Sequence, residues 1–333
     1  MTKQDSLVMK GMAVLMMLFL HLFNQADIVD YCQPQLFVGG LPLVNILTRA
    51  CCPVPFFMII SGYGMSFLYH SGNITIKNQG KRLLKLYIHY WIILLIFVLT
   101  GCFVRPDVYP GNAGEIVGNI TSYSSTYNTE TWFLFPYAVI CLSAFWLFRF
   151  IDRIGNRWAF VLFCIISFVC FYLRREHVEP DKSYETVLAH AVNIFSLAFD
   201  FVVGAIMHRI SMKRDIRNRF LLSNRWIALL LLMILIFCKC LHPTVAFNTF
   251  YAILFIYLFL HFGISKPANA VLAEFGKVSM PMWLIHSFFC YHLFHDFIYG
   301  FRYPIVIYLV LIAISYLAAK LILTITRPIV RRI

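Results

Sequence analysis

Charge is what this sequence has least of. Of its 333 residues 13% are Asp, Glu, Lys or Arg and 61% are hydrophobic, whereas a soluble chain keeps roughly 25% charged. That deficit excludes an ordinary soluble domain. Strands alternating apolar and polar residues over about ten positions are missing too, which excludes a membrane β-barrel. No C-x-x-C pair occurs among the ten cysteines, so neither a zinc site nor a disulfide framework is indicated. Most of them (Cys51, Cys52, Cys141, Cys164, Cys170, Cys238, Cys240, Cys290) lie inside apolar blocks and read as small packing residues. No clean small-x-small cleavage site follows the first apolar run, so that run reads as a retained helix rather than a secretory signal. Linkers and repeats of 20–50 residues are absent as well, which leaves one domain over 1–333.

What is present is long apolar blocks. Several approach the roughly 20 residues that cross a hydrocarbon core of about 30 Å, and only helices or closed barrels satisfy the backbone there. The expected fold is all-α: a polytopic membrane protein of about ten transmembrane helices, near 7–26, 42–69, 83–104, 132–150, 158–173, 188–208, 226–241, 246–264, 278–299 and 304–325. The net charge of +13 follows this alternation. Of the 28 lysines and arginines, 21 fall at the N-terminus, in alternate loops and at the C-terminus, the densest group running from Arg209 to Arg225. The other seven are Arg49, Arg105, Arg174, Arg175, Lys182, Lys239 and Arg302. The positive-inside rule then places both termini in the cytoplasm and removes nucleic acid as the reason for the charge. The longest polar stretch, 105–131, is rich in Gly, Ser, Thr and Asn and faces outside; its hydroxyl, amide and tyrosine side chains suit a sugar.

Polar residues inside the spans are the candidates for chemistry, because ionisable groups in a membrane are costly and face a cavity or a partner. Lys10 and His21 are eleven residues apart, three turns on one helix face and about 16 Å along the axis. Lys10 lies at the cytoplasmic interface, where a lysine can simply snorkel; His21 lies deep. His286 sits about 13 Å beyond Lys277, at similar depth, with Ser279 on nearly the same face. Lys81, Arg82 and Lys85 form a basic cluster at the cytoplasmic mouth, a membrane anchor or a site for phosphates. Ser61 and Gly62, with Gly64, allow either close helix approach or passage of a thin ligand. Glu130 and Trp132 stand at the outer interface, and Arg49 and Asp200 lack an obvious partner.

Several stretches, in order, resemble the acyltransferase-3 family of bacterial integral-membrane O-acyltransferases of surface glycans. The basic residue, ten residues and a histidine of the family's first helix correspond to Lys10 and His21, with lysine in place of the usual arginine, which keeps the charge and loses the bidentate fork. Phe56-Phe57 followed by Ser61-Gly62 resembles the family's FF-x-x-SG with one residue more. Arg82 to Tyr87 resembles its basic entrance, with Ile88 replacing a proline. Trp132 begins a matching WFL, and Ser279, Trp283 and His286 match the C-terminal S-x-x-x-aromatic-x-x-H.

The resemblance implies acetyl-CoA or another acyl-CoA as donor, its phosphates on Lys10, Lys81, Arg82 and Lys85 and its pantetheine arm passing Ser61 and Gly62. It implies His21 as general base or transient acyl acceptor, with His286 and Ser279 orienting the donor or stabilising an oxyanion. Glu130, Trp132 and Arg49 are expected on the acceptor side. The acceptor is a hydroxyl of a cell-surface or lipid-linked glycan, the location is the bacterial cytoplasmic membrane, and no metal is called for. The chain ends at Ile333 without the soluble esterase-like domain of some relatives, so any periplasmic or cell-wall partner is a separate chain. The competing expectation is a proton-coupled transporter or glycan flippase using the buried histidines, Arg49 and Asp200; no hydropathy repeat between the halves supports it.

Overall fold

The computed structural model describes residues 1–180, 184–213 and 224–333. Lys182 and the loop arginines Arg214, Arg217 and Arg219, which entered the charge count, lie outside the described residues. The helices run α1 (Lys3–Phe23), α2 (Ile28–Tyr31), α3 (Leu43–Thr48), α4 (Pro53–His70), α5 (Ile76–Val104), α6 (Ala113–Thr121) and α7 (Leu134–Ile154). They continue as α8 (Asn156–Leu173), α9 (Val187–Lys213), α10 (Arg225–Leu241), α11 (Asn248–Phe262), α12 (Lys266–Ser287), α13 (His295–Tyr299) and α14 (Pro304–Val330). The described strands are a single two-residue hairpin, Phe37–Val38 with Leu41–Pro42. The protein is an all-α polytopic membrane protein.

Among the described residues eight stretches are long and apolar enough to cross a membrane: those of α1, α3 with α4, α5, α7, α8, α9, α11 and α14. The other two expected spans are different. α10 has 17 residues, about 25 Å, and packs along α11. α12 starts twelve residues before the expected 278, and the expected span 278–299 is corrected accordingly: its helix stops at Ser287 and passes into a π-helical turn, Phe288–His292, and the short α13. The apolar run misplaced the start because the first turns of α12 carry Lys266, Glu274 and Lys277 on an exposed or half-exposed face, yet bury Ala273 and Gly276 against α1.

Two helix crossings fix the frame. A Cβ on Gly11 would overlap the carbonyl oxygen of Leu272, and one on Gly276 that of Leu7, so α1 and α12 meet backbone to backbone. Gly62 meets Phe201 and Gly204 meets Ile59 in the same way where α4 crosses α9. Small residues drive such approach where no hydrophobic effect separates helix from lipid. Both termini lie on one face: the Met1 amine donates to the Tyr63 hydroxyl at 2.9 Å, and Lys81 Nζ to the Ile333 carbonyl at 3.0 Å. An even number of crossings requires this, and it is the face the charge count assigns to the cytoplasm.

The stretch 105–131 is more than a solvated loop. Its Tyr109 ring packs on Gly101 near the outer end of α5. Lower down, Asn119 and Ile120 carbonyls accept from Tyr90 Oη at 2.7 Å and Trp91 Nε1 at 2.9 Å. The chain from Tyr109 through α6 to Ile120 therefore descends about 16 Å along α5, its backbone satisfied by protein as chain at membrane depth must be.

Candidate active site

The end of α1 is pinned before it presents any chemistry. A helix leaves its last carbonyls without partners, and here tyrosines take them: Tyr291 donates to the carbonyl of His21 and Tyr299 to that of Leu22, while Asn45 Nδ2 donates to Phe23. His21, in the last turn, cannot drift. Its Nε2 lies 3.2 Å from Glu130 Oε2, and both side chains keep a little exposure, 16% and 18%. A carboxylate accepts from the N–H of Nε2, and in the neutral ring this leaves the lone pair on Nδ1. This is how a carboxylate orients an imidazole to act as a base.

Glu130 reaches this place through Asn128, which is fully buried. Asn128 Oδ1 accepts from the Glu130 N–H at 3.2 Å, starting the 3₁₀ turn Thr129–Phe133. Its Nδ2 donates to the Leu284 carbonyl at 2.9 Å, and Ser287 Oγ donates to its Oδ1 at 2.6 Å. Trp283 Nε1 adds a bond to the Glu130 carbonyl at 3.0 Å. The acid on the α6–α7 connection is thereby tied to α12, the helix that carries His286.

His286 is fully buried, its ring centroid 5.1 Å from that of His21. Its Nδ1 donates to the Trp283 carbonyl at 2.7 Å, because a carbonyl can only accept. Its buried Nε2 has no hydrogen-bond partner among the described residues and, in the neutral ring, offers a lone pair. The π turn that follows places Tyr291 beside His21, ring centroids 5.9 Å apart. Widened turns of this kind concentrate at functional sites.

His21 and Glu130 line the end of a cavity of about 430 Å³ that also meets Arg49, Trp132, Arg174 and Lys239. Arg174 lies 5.8 Å over the Trp132 ring. Also on its lining, Arg49 donates to the Cys240 carbonyl at 3.4 Å, and Lys239 Nζ to Thr244 O at 2.9 Å and Asn248 Oδ1 at 2.7 Å. Asp200, buried in the same cavity, accepts from Thr249 Oγ1 at 2.6 Å. The sugar-side candidates Glu130, Trp132 and Arg49 are thus together, with Glu130 serving His21 directly.

A second cavity, about 330 Å³, opens toward the face that holds the termini and is lined by Lys10, Ser61, Gly64, Gln79, Arg82 and Tyr137. It gathers Lys10, Ser61 and Arg82 from three separate helices. Lys81 is turned instead to the C-terminal carbonyl, Lys85 does not line the cavity, and Gly62 faces α9. Ser279 is buried and donates to the Gly276 carbonyl at 3.0 Å. It lies two turns from His286, about 10 Å along the axis, and borders neither cavity.

The two cavities share no lining residue but share walls: α1 carries His21 to one and Lys10 to the other, α4 carries Pro53–Pro55 and Ser61, and Trp132 and Tyr137 lie on either side of the start of α7. Sequence reasoning missed Asn128, Ser287 and Tyr291. An Asn two residues before Glu130 is a helix-start signal that could have found the first. The other two follow His286 in a run of aromatic residues that gives no sign of a π turn. Among the described residues, no group of three or more His, Cys, Asp or Glu is placed to hold a metal ion, and all ten cysteines are free thiols.

Fold and site together define an integral-membrane protein with a carboxylate-held histidine at the end of its first helix. The chain belongs to the acyltransferase-3 family: the model of its acyltransferase domain matches residues 7–324, nearly the whole length. It is a membrane acyltransferase. No curated protein and no solved structure matches it.

Proposed function

We propose that the protein is an O-acyltransferase of the bacterial cytoplasmic membrane that moves an acetyl group from acetyl-CoA to a hydroxyl of a cell-surface or lipid-linked glycan. The observation that carries this reading is the pairing of His21 with Glu130 at the end of one cavity while Lys10 and Arg82 line another at the terminal face. The donor's phosphates dock on Lys10 and Arg82, as anions do on cationic side chains. Its long pantetheine arm passes Ser61 along α1, α4 and α7, the walls common to both cavities, and brings the thioester to His21. The acceptor comes from the outer cavity.

In the chemical step His21 Nδ1 takes the proton of the acceptor hydroxyl. The hydroxyl oxygen attacks the thioester carbonyl, the carbon–sulfur bond breaks, and the imidazolium returns the proton to the departing CoA thiolate. Glu130 holds the imidazole in orientation and offsets its positive charge while it exists. The ring of His286 packs edge-on against that of His21 and positions it. Ser279 has no part in this step.

The test is transfer of radiolabel from acetyl-CoA into glycan by membranes carrying the protein. Label in the glycan with wild type and none with His21→Ala, at equal protein in the membrane, is the expected result. Full labelling by His21→Ala would refute the role of the histidine, and failure of the purified protein to bind any acyl-CoA would refute the donor.

A further inference from the structure

The outer cavity holds more positive charge than its own carboxylates answer. Arg49 has five N–H donors and one bond at the limit of hydrogen-bond distance, 3.4 Å to the Cys240 carbonyl. Lys239 is only 7% exposed; two of its three N–H groups are met by neutral oxygens of Thr244 and Asn248. Among the described residues no carboxylate lies within 4 Å of either cation. Both carboxyl groups of the cavity are turned elsewhere, Glu130 to His21 and Asp200 to the Thr249 hydroxyl. A third cation on the lining, Arg174, stands over Trp132, with Glu179 at 3.5 Å. Buried cations are costly and are kept where they meet an opposite charge. Arg49 and Lys239 meet none among the described residues.

We propose that the acceptor is anionic, and that Arg49 and Lys239 hold its phosphate or carboxylate while the hydroxyl to be acylated reaches His21. The inference rests on the acyltransferase reading and narrows it to a class of acceptor. Two cations with donors to spare, Lys239 buried and Arg49 half-buried, match an oxyanion, which accepts charge-assisted hydrogen bonds from both. A neutral sugar would leave both charges uncompensated. The oxyanion comes from the glycosyl phosphate of a lipid-linked sugar or from a uronic acid in the glycan, and the substrates below separate these.

The experiment uses the full chain in lipid nanodiscs. Acyl transfer from acetyl-CoA is measured to one hexose offered as its neutral methyl glycoside, as its uronate and as its glycosyl phosphate. Binding of inorganic pyrophosphate and of glucuronate is read in parallel from the thermal unfolding temperature. The expected result is a KM at least tenfold lower for an anionic form than for the neutral one. That advantage should fall by about tenfold or more in Arg49→Gln and in Lys239→Gln, as loss of a charge-assisted hydrogen bond requires, and return in part in Arg49→Lys. Pyrophosphate or glucuronate should raise the unfolding temperature of wild type and compete with the acceptor rather than with acetyl-CoA. Monodisperse elution of each variant establishes that it is folded. Equal use of the neutral glycoside, or an anionic preference that survives both substitutions, overturns the proposal and leaves the acyltransferase intact. If wild type neither binds acetyl-CoA nor transfers to any sugar, the acyltransferase reading falls and takes the acceptor assignment with it.

Discussion

The two ends of α1 are built differently. At the outer end His21 is surrounded by groups already committed to their places: Glu130 on its ring, Tyr291 on its carbonyl, His286 beside it, and Asn128 binding the acid's turn to α12. At the inner end Lys10 and Arg82 line a cavity and neither is held by a carboxylate among the described residues. A reacting centre gains from groups fixed before the reaction begins. A mouth that captures a flexible, phosphate-bearing donor needs charge more than fixed geometry. The proposed function therefore puts catalysis at the outer end and donor capture at the inner one, with a single helix linking them.

Substitutions can break that comparison, and the largest effect belongs to the outer end. His21→Ala should lower kcat by about 10²- to 10⁴-fold, the contribution of a general base, with donor binding kept. Glu130→Gln keeps the shape and removes the charge; about a hundredfold fall in kcat, with little change in donor KM, is expected from an unheld imidazole. A variant as active as wild type would make the contact incidental. Asn128→Ala leaves the Leu284 carbonyl and Ser287 hydroxyl without their partner, so about 1–3 kcal/mol of stability should go. About tenfold in kcat should go with it as the acid loses its turn, read by steady-state kinetics beside a melting curve. Arg82→Gln belongs to the inner end and should raise donor KM about tenfold, or about 1.4 kcal/mol, with kcat unchanged. Ser279→Ala is the smallest, within about twofold of wild type, since its hydroxyl only returns to its own helix; a large fall in kcat would bring Ser279 back into the chemistry.

How much of this the sequence contains depends on the scale at which the interaction acts. Helices were legible because lipid leaves the backbone no other way to satisfy itself. The shared depth of His21 and His286 was legible from helical rise alone, and the rings do meet. Glu130 was legible as an outer-face residue but not as the partner of His21. That contact joins positions over a hundred residues apart and depends on α6 descending along α5, which no local pattern announces. Ser279 was legible as sharing the His286 face two turns away, but not as returning its hydroxyl to its own helix. Lys239 was counted only as one of seven outer charges, because a lysine's burial depends on the helices around it. The start of α12 was missed because its first turns bury a narrow face against α1 and leave charge on the other.

The most direct test of the account is one titration with acetyl-CoA of purified wild type, Lys10→Ala and His21→Ala, with kcat and KM for donor turnover read separately and donor binding measured alongside. Division of labour along α1 predicts that Lys10→Ala raises KM about tenfold at nearly constant kcat, and that His21→Ala binds donor like wild type but does not turn it over. Equal loss of binding and turnover in both variants, or normal turnover in His21→Ala, would contradict it.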